Sequence, residues 1–175
     1  MFVATFALGV LITGAVAAQP GGSEEFDVYG LDLKNYAWFL VPPLVWNVLF
    51  TEQLGVDAYF TGQAPQSLLV AENLARGLVF SLPLLMPIDS GNRHFNAGLA
   101  TYGVGLVAYF ATWAFTIIAP HSALASHPAM RLAPAYLPII WLGGIALMSE
   151  SWIYAGAATV FVGLHVGEYL VRLPR

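Results

Sequence analysis

The chain contains no cysteine, which excludes disulfides, thiolate chemistry, c-type haem attachment and iron–sulfur ligation. Charge is nearly as scarce. Asp, Glu, Lys and Arg together make up 9% of the 175 residues, against roughly 25% in a soluble domain. Lys34 is the one lysine and lies between two apolar stretches, so no Schiff-base lysine is available inside a helix. Six basic residues without a cluster, and a formal charge of −4, argue against a nucleic-acid partner. The phosphate-loop, HExxH, GxSxG and EF-hand patterns are missing as well.

Apolar residues fill the space that charge leaves. Hydrophobic types make up 58% and aromatics 14%, and the mean hydropathy is +0.71. A soluble fold of this size cannot hide that much apolar surface, so the bilayer must be the solvent for most of it. The long stretches free of charge predict an all-α, polytopic transmembrane bundle with spans near 2–18, 36–51, 67–86, 96–118, 133–149 and 152–171. The first stretch ends in Ala15-Val16-Ala17, like a signal peptide, but it has no positive n-region. A retained first span is expected, with five spans as the alternative. The connections are short and rich in Gly, Pro and Ser, so residues 1–175 are read as a single integral membrane domain.

Arg131, Arg172 and Arg175 fall on one side of this topology, Lys34 and Arg93 on the other. That bias predicts cytoplasmic termini, a cytoplasmic 119–132 loop and an outside acidic 19–35 loop, in the plasma or inner membrane. Tyr36, Trp38, Trp152, Tyr154 and Tyr169 lie near span ends, where amphipathic rings anchor at headgroup depth.

Small residues recur at helical spacing in two spans: Gly98, Thr101, Gly105, Ala108 and Thr112, then Ala155, Thr159, Gly163 and Gly167. Such stripes let backbones approach closely. Contact within the chain is the expectation, and a homo-oligomer or larger membrane complex through Gly98/Gly105 or Gly163/Gly167 is the alternative. Pro42, Pro43, Pro83, Pro134 and Pro138 interrupt three spans and predict kinks. Pro43-Leu44-Val45-Trp46 resembles Pro138-Ile139-Ile140-Trp141; an inverted repeat would pair broken spans in this way, but the letters are abundant ones and chance similarity is the expectation.

Ionisable groups inside spans cost roughly 2.5–3.5 kcal/mol each at a helix centre. Those present are Glu72 and Arg76 in the third span and His165 and Glu168 in the sixth, with Asn47 and Asn73 adding amides. All fall in the cytoplasmic half of the predicted topology. Glu72 and Arg76, four apart, share a helix face and are expected to pair. His165 and Glu168 share another face with Phe161 and Arg172, opposite Gly163 and Gly167. Imidazole titrates near neutrality, which makes His165 the candidate proton carrier. His121 and His127, with Glu52 and Asp57 on the same side, match no zinc signature, so no metal site is assigned and no cofactor is named.

These residues point to transport or binding of a small or amphipathic molecule at a polar site. Arg76, Glu72, Asn47 and Asn73 would form the ligand site, and His165 with Glu168 would couple protons. Membrane lipids are the expected surroundings. A non-catalytic subunit that holds lipid or pigment is the first alternative. An intramembrane enzyme acting on a lipid headgroup is the second.

Overall fold

A computed structural model describes residues 34–50 and 63–172. The expected first span, the greater part of the 19–35 loop, and Glu52, Asp57 and Arg175 lie outside the described residues. Within them the secondary structure is helical, apart from an isolated bridge between Asn35 and Pro87. A 3-10 turn, Tyr36–Leu40, leads into α1, Val41–Leu49. Helix α2, Gln66–Ser81, tightens into a second 3-10 turn, Leu82–Leu85. Then come α3, Phe95–Ile118; α4, Pro128–Tyr136; α5, Pro138–Met148; and α6, Trp152–Arg172.

Four helical segments are long and apolar enough to cross a membrane: Gln66–Leu85, Phe95–Ile118, Pro128–Met148 and Trp152–Arg172. The expected second span is a shorter apolar helix, Tyr36–Leu49. Five residues at 3-10 rise and nine at α rise reach only about 24 Å, short of the ~30 Å hydrocarbon core. Its prolines stand at the helix start, where a missing N–H costs nothing, so Pro42-Pro43 begin α1 rather than kink it.

The expected fifth span, 133–149, starts earlier than its composition suggests. Pro128 occupies the first turn of α4, and the His127 side chain accepts a hydrogen bond from Ala129 N at 3.3 Å. Pro138, which has no N–H to give the preceding turn, divides this segment into α4 and α5. The Pro128–Met148 segment is also the centre of the bundle, with 56% of its apolar window buried against 17–22% for the other three.

Helix α3 packs antiparallel on α5 through glycine. A Cβ on Gly105 would lie 2.6 Å from Trp141 N, one on Gly98 2.6 Å from Met148 N, and one on Gly144 2.5 Å from Tyr102 N. No side chain fits there, so the two backbones meet directly. Tyr102, Tyr109 and Trp113 continue the same buried stripe of α3. Gly98 and Gly105 of the first small-residue stripe are therefore used inside the chain. The second is different: among the described residues, nothing lies within 4 Å of a Cβ placed on Gly163 or Gly167.

One end of the bundle is tied by polar contacts. Tyr36 N donates to Met86 O at 3.0 Å and Ile88 N to Lys34 O at 2.8 Å. The Tyr36 hydroxyl and the Asn92 amide both donate to Met148 O, at 2.8 and 2.9 Å. Tyr36 and Tyr154 are fully buried, so neither is the interfacial anchor its position suggested, whereas Trp38 and Trp152 are exposed. The α5–α6 turn closes with Glu150 at φ 50°. Glu150 N bonds Leu147 O and Ser151 N bonds Ala146 O, the paired closure of a Schellman turn. Ser151 Oγ then caps α6 by accepting from Tyr154 N at 3.2 Å.

Candidate functional site

Helices α2 and α6 run antiparallel, and their seam changes character along its length. Near the middle, Phe80 meets Phe161 edge to face at 6.3 Å. Two turns further toward the α2 start and the α6 end, the seam becomes ionic. On α6, Tyr154, Ala158 and Phe161 form the buried face. His165, Glu168 or Tyr169, and Arg172 follow at helical spacing, so the polar groups extend the face that packs. Glu72 lies six residues inside α2 and His165 seven residues inside α6, which places both roughly 10 Å from that end of the helices.

The pairing predicted for Glu72 and Arg76 is present. Arg76 Nε donates to Glu72 Oε1 at 3.1 Å and its Nη2 donates to the same oxygen. Glu72 is 1% exposed, and a carboxylate so deeply placed needs this guanidinium. A second partner reaches the same oxygen from the other helix: His165 Nδ1 lies 3.1 Å from Glu72 Oε1. That nitrogen is buried, and its approach is off the line of an aligned hydrogen bond. Glu168 Oε2 lies 3.9 Å from His165 Nδ1, and Glu168 Oε1 takes a 2.9 Å ion pair from Arg172. The His165 ring is held by its own helix, stacked on Phe161 with centroids 5.4 Å apart and edge to face with Tyr169 at 5.0 Å.

The cluster is thus a row across two helices: Arg76, Glu72, His165, Glu168, Arg172. With a neutral imidazole its two carboxylates and two guanidiniums balance. Glu72 Oε1 lies within reach of both Arg76 and His165, so one buried carboxylate oxygen joins the two helices.

The amides behave differently. Asn47 accepts from the Tyr109 hydroxyl at 2.9 Å, tying α1 to α3, next to the stacked rings of Trp46 and Phe110. Asn73 turns onto its own helix and donates to Leu69 O at 2.8 Å; being one residue from Glu72, it points about 100° away around α2. His121 and His127 are exposed and are not gathered with carboxylates among the described residues.

Sequence reasoning passed over Tyr169 as a membrane anchor, although its i, i+4 spacing from His165 was a usable signal. The contact of His165 with Glu72 had no such signal, because it depends on which helices pack and how they are rotated. No protein-family model, curated protein or solved structure matches this chain.

Proposed function

We propose that the α2–α6 row binds a small anionic or amphipathic molecule that the protein carries across, or holds within, the membrane. Arg76 is the partner for the anion, and Glu72 holds Arg76 in place between binding events. His165 and Glu168 couple that exchange to a proton. The observation that carries this reading is the sharing of Glu72 Oε1 between Arg76 on α2 and His165 on α6. An anion that takes Arg76 leaves Glu72 buried without its ion partner, a costly state. A proton on His165, 3.1 Å away, restores the balance. Anion and proton therefore enter together, and each raises the affinity for the other by the same factor. Asn47 supplies a hydrogen-bonding amide beside Tyr109, while Asn73 would have to give up its bond to Leu69 O to take part. On the distribution of Lys and Arg, the site faces the cytoplasm.

The test is uptake into proteoliposomes that hold a pH indicator and are offered carboxylates and phosphate esters one at a time. An accepted anion acidifies the lumen, and Arg76→Gln and His165→Ala each abolish the signal. If no anion shifts either lumenal pH or thermal stability, the reading fails.

A second reading, a subunit of a larger membrane assembly, draws on the α6 face that carries Gly163 and Gly167. A Cβ there meets no described atom, which leaves room for a helix of another chain to approach closely. Purification in a mild detergent, with the mass of the complex measured, distinguishes the two.

A further inference from the structure

The same seam gathers three metal-ligating side chains from two helices. One donor atom each from Glu72, His165 and Glu168 lies within 4.8 Å of the other two. His165 Nδ1 is 3.1 Å from Glu72 Oε1 and 3.9 Å from Glu168 Oε2. A transition-metal ion bound at about 2.0–2.2 Å keeps neighbouring donors roughly 3.0–3.6 Å apart. A contraction of about an ångström therefore brings all three atoms to one ion. We propose that Glu72, His165 and Glu168 form a divalent-cation site, whose positive charge is supplied by Arg76 and Arg172 when no ion is bound.

The charges of the seam match a divalent ion. Two carboxylates are balanced by two guanidiniums, each four residues along its own helix. One divalent ion replaces both of those charges and leaves the sum unchanged, whereas a monovalent ion leaves a carboxylate uncompensated in a low-dielectric seam. Both arginines have long stems, and Arg172 stands in the last turn of α6, where its head can swing out to the surface. The imidazole is also placed to coordinate. Its Nδ1 is buried, faces both carboxylates and makes no aligned hydrogen bond, while Phe161 and Tyr169 fix the ring plane. The donor set of one nitrogen and two carboxylates suits the ions from Mn²⁺ to Zn²⁺, with water completing the shell. Ca²⁺, which takes six to eight oxygens, is disfavoured.

This inference does not depend on the anion reading, and one substitution separates them. Arg76→Gln removes the anion's partner but frees Glu72 for a cation, so anion uptake is lost while metal binding strengthens.

The full-length protein, purified without a histidine tag and with His94, His121 and His127 replaced by Gln, keeps His165 as its sole histidine. Co²⁺ is titrated in as a visible-absorption probe, and Zn²⁺ competes it off. The expected result is one equivalent of Co²⁺ with a d–d band that His165→Ala abolishes. Glu168→Gln should weaken binding by more than the roughly 10–100-fold that loss of a ligand's outer partner costs, and Arg172→Gln should strengthen it several-fold. Lack of saturable Co²⁺ binding at millimolar concentration overturns the proposal, as does binding that survives His165→Ala. If His165→Ala does not fold, the opposite signs predicted for Glu168→Gln and Arg172→Gln decide the matter. Equal effects of those two overturn it.

Discussion

Along the α3–α5 seam the backbones meet through Gly98, Gly105 and Gly144, with no side chain between them; along the α2–α6 seam they meet through Glu72, His165 and Glu168. In lipid, apolar burial does not drive helices together, so a seam must rely on close packing or on polar contacts. The glycine seam takes the first route. Its dispersion contacts are short-ranged and are lost as soon as the gap opens by a fraction of an ångström, which makes it rigid. The ionic seam takes the second route. Glu72 Oε1 there has a partner on each helix, Arg76 on its own and His165 across the seam. One molecule thus holds a glycine-packed seam and an ionic seam side by side, and the two should respond differently to substitution.

The largest effect should come from removing one member of the ionic seam. Arg76→Ala removes the guanidinium that pairs with the buried Glu72, and breaking a buried pair costs about 3–5 kcal/mol. The double change Glu72→Ala, Arg76→Ala should recover most of that stability in a detergent unfolding titration. Full stability in the single variant would mean that the α2–α6 seam does not rely on the pair.

Next is the glycine seam. Gly144→Ala places a methyl group 2.5 Å from Tyr102 N, and overpacking of this kind costs roughly 1–3 kcal/mol. Gly163→Ala meets nothing within 4 Å among the described residues; helix propensity should there stabilise by up to about 1 kcal/mol. If the two substitutions behave alike in thermal unfolding, the seam is not where the backbones touch.

Smaller again is Tyr102→Phe. It removes a 2.8 Å hydrogen bond to Phe39 O but keeps the edge-to-face ring contact, for a loss of about 0.5–1.5 kcal/mol. The smallest change should have the opposite sign. Glu150→Gly relieves a left-handed residue at φ 50° and should stabilise by no more than about 1 kcal/mol, provided that the exposed His94–Glu150 contact at 3.2 Å contributes little, as surface pairs generally do. A loss of stability would show that this contact matters more than the backbone strain.

The two seams were not equally legible before folding. The glycine stripe of α3 can be read from spacing alone, and so can the pairing of Glu72 with Arg76, because both follow from the 3.6-residue period of one helix. Span ends near Phe95, Ile118 and Trp152 were readable because charge and helix-breaking residues flank apolar runs. The partner of the glycines was not readable: Gly144 and Trp141 belong to another helix, and only packing reveals the register. The meeting of Glu72 with His165 was hidden for the same reason, because the two stand 93 positions apart in the sequence. Composition also misled. The Pro- and Ser-rich stretch before Arg131 looks like a loop, yet Pro128 starts a helix there because its missing N–H is harmless in a first turn.

The carbonyl of Met148, which accepts from both Tyr36 and Asn92, gives the bundle leverage. It pins the turn before α1 and the start of α3 to the end of α5, and the bridge from Asn35 to Pro87 fastens the tail of α2 to the same knot. The ionic row lies toward the far end, where α2 begins and α6 ends. A helix of about 20 residues is roughly 30 Å long, so a tilt of about 10° at the knot carries its far end through roughly 5 Å. The knot and the ionic row therefore stand at opposite ends of the α2–α6 pair, so that any tilt about the knot displaces the charged end most.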